Sequence, residues 1–354
     1  MNRTRSDSST DSTEHRLPWE SEEEQESLDE YEGSESGGAG GGIIEGIISP
    51  FRGQTEIDDE GRGIPGSKLE SWSKPGPSTN TKAACDSIKT ALKNDPNLQR
   101  DNIKFSVYIQ GSYKNATNIH GNSDVDIVIQ LDAPYRLEQQ DGAVKIVHPD
   151  GRKTDYSYER FKRDVIDALR RRYGKRAVQV GDKAIEIHSA DSTLQIDADV
   201  VVSQRNQSPD GDGMWFKTRG GKEIVNYPKQ HYQNGAAKNR RTNGEYKKAL
   251  RTLKRARSYL VKKGRISEGQ VPGYFLECLL YNVPDEAFTS SAPSANDHQR
   301  RYCNIVNHLN KADLNEFGCQ NEAHSLFGRD STQWNTRDAK RFVDELVYLW
   351  NNWY

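Results

Sequence analysis

A chain of 354 residues is long enough to bury a sizeable core in one large domain or two, although only 33% of it is hydrophobic and its mean hydropathy is −0.94. The formal charge of −2 hides two unlike parts: residues 1–80 hold 7 Lys and Arg against 18 Asp and Glu, whereas the remainder holds 43 against 34. No apolar run is long enough for a membrane span and no apolar signal core opens the chain, so a cytoplasmic protein without a membrane partner is expected.

The acidic leader, residues 1–80, is rich in Ser, Glu, Asp and Gly, with a glycine tract at 37–42 and one apolar island at 43–51. Such a composition cannot bury enough apolar surface to offset its ordering entropy, and the whole leader is expected to be disordered. The folded body is placed from residue 81, with an α+β core over 81–225 and a helical C-terminal lobe over 226–354. Its first element is an amphipathic helix over 81–94, where Ala84, Ile88 and Leu92 recur at intervals of four.

The stretch 108–131 carries the chemistry. A β-type run at 105–110 leads through Gln110 into Gly111-Ser112; eleven residues later Asp124-Val125-Asp126 opens a second apolar run, Ile127-Val128-Ile129. Side chains alternate along a strand, so Asp124 and Asp126 share one edge, about 7 Å apart. Two such carboxylates repel each other and suit a hard dication: Mg²⁺ takes oxygen ligands and keeps substrate phosphates in its shell. Gly111 permits close backbone approach, and its turn with the Ser112 hydroxyl suits phosphate oxygens. An ordinary hairpin is the plain alternative for either half alone; the ordered combination favours a metal-dependent nucleotidyl-transfer site.

A helix is predicted over Tyr158–Tyr173, followed by strand-like runs at 177–180, 184–188 and 194–202. In the last of these Asp197 and Asp199 share a face beside three consecutive valines, a costly placement unless a cation or base requires it. Asp199 is taken as the third metal ligand, with Asp197 in reserve. Residues 220–239 read as a polar connection whose proline blocks early helix. A long helix over Glu245–Lys262 pairs an apolar stripe with a basic one, Lys247, Arg251 and Lys254, which is either a solvated face or a counter-charge for a triphosphate. Residues 274–281 and 337–350 read as packed helices. Cys85, Cys278, Cys303 and Cys319 read as reduced thiols. His298, Cys303, His308, Cys319 and His324 do not match the usual zinc spacings.

Gly111-Ser112, the spacer, Asp124-x-Asp126 and a later strand aspartate resemble the polymerase-β-like nucleotidyltransferase superfamily. Within it, QGSYKNATNIHGNSDVDIVIQLD, QIDADVVVS, YKKALRTLKRAR and YFLECLLYNVP resemble the bacterial CD-NTases of CBASS anti-phage systems. These are similar in fold to cyclic GMP-AMP synthase and oligoadenylate synthetase. The resemblance covers residues 81–354. It implies a mixed-sheet core and a helical C-terminal lobe with a nucleotide cleft between them, and synthesis of a cyclic di- or trinucleotide from nucleoside triphosphates.

It also implies two Mg²⁺ (or Mn²⁺) ions on Asp124, Asp126 and Asp199. Gln110, Gly111 and Ser112 would stand at the phosphates, and Lys254 or Lys247 would steady the triphosphate. A regulatory protein or activating ligand is implied as a partner, with a downstream effector reading the product. The chain departs from the pattern at Pro272-Gly273-Tyr274, where a Pro-Ser pair is expected. Transfer to another acceptor, such as an RNA 3′ end, a protein or a small-molecule hydroxyl, and a catalytically inactive nucleotide-binding module stay open as alternatives.

Overall fold

In this computed structural model the described residues are 56–59, 63–100, 103–119, 124–151, 155–289, 296–329 and 333–353. The glycine tract and the apolar island at 43–51 lie outside them. In chain order the elements are α1 (Gly66–Ser73), α2 (Thr81–Lys93), α3 (Pro96–Arg100), β1 (Lys104–Ile109), α4 (Gly111–Lys114), β2 (Val125–Glu138) and β3 (Val144–Val147). Then follow α5 (Tyr158–Tyr173), β4 (Val178–Val180), β5 (Ile185–Ile187), β6 (Ala198–Ser208), β7 (Gly211–Lys217) and β8 (Glu223–Asn226). The last third comprises α6 (Pro228–Arg241), α7 (Glu245–Lys262), α8 (Gly273–Tyr281), α9 (Asp297–Lys311) and α10 (Thr336–Asn351).

The strands form one mixed sheet. Its main path runs β1-β2-β6-β5-β4, with β3 on β2 and the β7-β8 pair on β6; β2 and β6 are parallel and the other pairings antiparallel. Val125, Ile127, Val128, Ile129 and Leu131 of β2 are all fully buried, so its centre is covered on both faces, as expected of a parallel neighbour. One core forms around this strand, from α2 and α5 on Ile88, Leu92, Phe161, Val165 and Leu169. A second gathers α7 to α10 around Leu253, Phe275, Phe342 and Trp350. Among the described residues no helix is long and apolar enough to cross a membrane.

Three expectations are corrected. The leader does not run to residue 80 as an unfolded segment: Ile57, Ile64, Leu69 and Trp72 are buried in the helical lobe's core, and α1 lies among them. Trp350 Nε1 donates to the Asp58 carbonyl at 3.0 Å, and Gly63 lies so close to the Trp350 ring that a β-carbon would stand 2.3 Å from it. These apolar residues are widely spaced, so the surrounding polar composition masks them. Second, Pro228 starts α6 instead of blocking it, because a proline in the first helical turn gives up only an N–H that has no intrahelical partner there. Third, β6 begins at Ala198, so Asp197 precedes the strand instead of sharing a face with Asp199.

Candidate active site

Gln110, the extended residue that precedes α4, donates its backbone N–H to the Asp126 carbonyl at 2.9 Å, which ties the turn to β2. Gly111 follows with φ +68, and a β-carbon there would lie 2.1 Å from Asp126 Oδ2. Both facts demand glycine. The second gives it a role different from the one expected: the space of a side chain is filled by the Asp126 carboxylate. Tyr113, buried, anchors the turn in the core, while Ser112 stays half-buried at its surface.

Strand register brings the three aspartates to neighbouring positions. Asp124 stands just before β2, and the parallel pairing sets Asp126 beside Asp199 and Val125 beside Ala198. Burial, then Asp199 and Asp124, pushes the Asp126 carboxyl up to about 7. Asp124 is also raised, by desolvation and the charges of Asp197 and Glu186; Asp199 is raised by burial, then Asp124 and Glu186. Mutual destabilisation of hard oxygen donors is the chemistry that suits a divalent cation. Among the described residues, however, no three His, Cys, Asp or Glu side chains converge closely enough to close a metal site as they stand.

Asp197 is differently engaged. Its carboxylate accepts from the Ser189 backbone N–H at 2.7 Å and from the Ser189 hydroxyl, bonds that hold it below the ordinary aspartate range. It is thereby turned toward Ser189. Sequence reasoning missed Glu186, which pairs across β5 with Asp199 and extends the acidic row Asp126, Asp199, Glu186 over three neighbouring strands. The alternation Ile185-Glu186-Ile187 was its available signal.

Lys254 departs from expectation. Its ammonium is buried, 2.6 Å from Glu277 Oε1, and also donates to Thr117 Oγ1 at 2.9 Å. Arg251 is buried too and donates to the carbonyls of Ser73 and Ala116. The supposed basic stripe is thus largely an inter-lobe contact, since α7 packs on two sides. Lys247 is half-buried and lines a small cavity with Asn115, Thr117, Tyr232 and Glu277. At the unexpected Pro272-Gly273-Tyr274, Gly273 lies against Lys254, and the Tyr274 ring is 42% exposed and stacked on His231 with centroids 5.0 Å apart.

A family profile described as the cGAS/DncV-like nucleotidyltransferase C-terminal helical domain matches residues 233–351. The chain is similar to the cyclic UMP-AMP synthase of Rhodothermus marinus, 38% identical over 303 residues that span 82% of this chain and 99% of that protein. It is similar to the cyclic nucleotide synthase CdnE01 of Staphylococcus haemolyticus, 37% identical over 310 residues, with 82% and 99% covered. Its fold is similar to the solved Rhodothermus marinus CdnE c-UMP-AMP synthase with Apcpp and Upnpp, at a TM-score of 0.70 and 37% identity over 82% of this chain and 97% of that one.

Proposed function

The chain belongs to the CD-NTase family of nucleotidyltransferases, and from that premise we propose that it joins nucleoside triphosphates into a cyclic di- or trinucleotide at the acidic edge of β2 and β6. The observation that carries the site assignment is the side-by-side register of Asp126 and Asp199 next to the Gly111-Ser112 turn. In each cycle a ribose hydroxyl oxygen bonds to an α-phosphorus, the bond to the β-phosphate breaks, the hydroxyl proton is lost and pyrophosphate leaves. Repeating the step within one linear intermediate closes the ring.

Asp124, Asp126 and Asp199 are read as the ligands of two Mg²⁺ or Mn²⁺ ions, which when bound supply Lewis-acid charge at the phosphoryl and attacking oxygens. The raised pKa values and the all-oxygen donor set support that reading. Gly111 leaves room for the Asp126 carboxylate, and the strand backbone keeps Asp126 and Asp199 in line. Ser112, with the turn from Gln110, holds the outer phosphates, and Lys254, whose charge acts on the Asp126 carboxylate, or Lys247 meets their charge. We read the product as a second messenger of CBASS-type anti-phage defence, made in the cytoplasm and sensed by a downstream effector, with a regulatory protein or ligand setting when the enzyme runs.

Incubation with α-labelled nucleoside triphosphates and Mg²⁺ tests this. Phosphatase-resistant label in a product with the mass of a ring, with no open-chain terminus, is expected from the wild type and not from Asp124→Ala/Asp126→Ala. Label transferred to an RNA end or a protein instead would replace the proposal with transfer to another acceptor.

A further inference from the structure

Just beyond the Gly111-Ser112 turn the backbone passes through Ala116 at φ +52, a left-handed conformation that costs energy for a residue with a β-carbon and persists only where the surroundings impose it. The imposing groups come from the helical lobe. Glu277 of α8, 4% exposed, bonds to the residues on either side: Asn115 Nδ2 donates to its Oε2 at 3.1 Å and Thr117 Oγ1 to its Oε1 at 2.7 Å. Arg251 of α7 donates to the Ala116 carbonyl at 2.7 Å.

Glu277 is itself fully committed. Lys254 Nζ bonds Oε1 at 2.6 Å and His231 Nε2 lies 2.7 Å from Oε2. Burial alone would raise its carboxyl, but the Lys254 ammonium and the His231 bond outweigh it and hold the group well below the usual carboxylate range. A charge taken this far from water is tolerated only with its lone pairs satisfied, and a satisfied network has a fixed direction that apolar packing lacks. Four groups from two lobes are therefore locked to one carboxylate.

The lock reaches the turn through the backbone. Thr117 N–H donates to the Ser112 carbonyl at 2.8 Å, and Asn115 N–H donates to the Gly111 carbonyl at 3.0 Å. We infer that Glu277 is a positioning residue for nucleotide binding: through Thr117 and Asn115 it sets, from the opposite lobe, the conformation in which Gly111-Ser112 grips the triphosphate. The inference rests on the reading of Ser112 as a phosphate contact. It gives the buried charge a function other than stability, and it makes the grip depend on how α8 meets the nucleotidyltransferase core.

Thr117→Val tests this better than removal of Glu277, which risks unfolding, because it deletes one hydroxyl and leaves the Glu277–Lys254 pair. The readouts are the Kd for a non-hydrolysable nucleoside triphosphate with Mg²⁺, by calorimetry, and Tm. Thr117→Val should weaken binding roughly tenfold, the scale of losing the bonds its hydroxyl donates to Glu277 and accepts from Lys254. Its Tm should fall by no more than about 3 °C, and Thr117→Ser should restore binding. In a Ser112→Ala background the same substitution should change Kd by less than about twofold, since coupled residues are not additive. A full tenfold loss on top of Ser112→Ala, or a fall in Tm with unchanged Kd, would overturn the inference. An unchanged Kd in Ser112→Ala alone would instead remove the phosphate role of Ser112, and the inference with it.

Discussion

Asp126→Asn should make the metal-free protein more stable at pH 8 while ending synthesis. In the folded chain the Asp126 carboxyl is raised from 3.8 to about 7, first by burial and then by Asp199 and Asp124. A raised carboxyl pKa means that the fold prefers the protonated acid. Its contribution is fully present below pH 3.8 and is lost as pH rises through about 7. About three units at 1.36 kcal/mol each set a ceiling of about 4 kcal/mol on the cost of ionising it at pH 8. Asparagine keeps the shape without the charge and recovers part of that cost. Thermal denaturation in chelator should place the variant about 5 °C above the wild type at pH 8, with the gap at least halved at pH 5. Added Mg²⁺ should raise the Tm of the wild type and leave the variant nearly unmoved. A variant less stable than the wild type at pH 8, or a gap indifferent to pH, would refute the assignment of Asp126 as a destabilised carboxylate awaiting a cation.

Gly111→Ala sets a β-carbon 2.1 Å from Asp126 Oδ2 at a positive φ, so it should cost about 1–2 kcal/mol of stability and, by displacing that carboxylate, about a hundredfold in rate; melting curves and initial rates check both. Asp199→Asn should reduce product formation about a hundredfold or more, whereas Asp197→Asn should leave the rate within a few-fold. The latter loses only the bonds to Ser189, at most about 1 kcal/mol because the group is only half-buried, and less as pH falls and Asp197 itself becomes protonated. A chain begun at residue 81 loses Ile57, Ile64, Leu69 and Trp72 from the helical core, roughly 2 kcal/mol for each buried side chain, and should be recovered insoluble or with a much lower Tm than the full chain.

What the sequence disclosed follows from what is local. Asp126 was legible because strand alternation and an apolar run settle its placement, with Asp124 one residue before the strand, and α5, α7 and α10 because a 3.6-residue stripe persists for four turns or more. Choosing between Asp197 and Asp199 needed the start of β6 and its register on β2, which no pattern within the segment states. The partners of Lys254 were hidden for a related reason. Periodicity shows that a helix has a polar face, not that α8 of the same lobe answers it with a glutamate from the apolar-looking run Phe275-Leu276-Glu277-Cys278, or that Thr117 of the other lobe joins the pair. The boundary at residue 81 failed because a few widely spaced apolar residues, Ile57 and Ile64 among them, vanish in a composition average although each is buried.

The measurement that bears most directly on cyclic synthesis is the mass of the phosphatase-treated product formed from nucleoside triphosphates and Mg²⁺. A ring has no terminal phosphate, so its mass should equal the sum of its nucleoside monophosphates less one water for each linkage, unchanged by phosphatase, and it should be absent with Asp124→Ala/Asp126→Ala. A product that loses its terminal phosphates under phosphatase and then has the mass of an open chain would contradict the account.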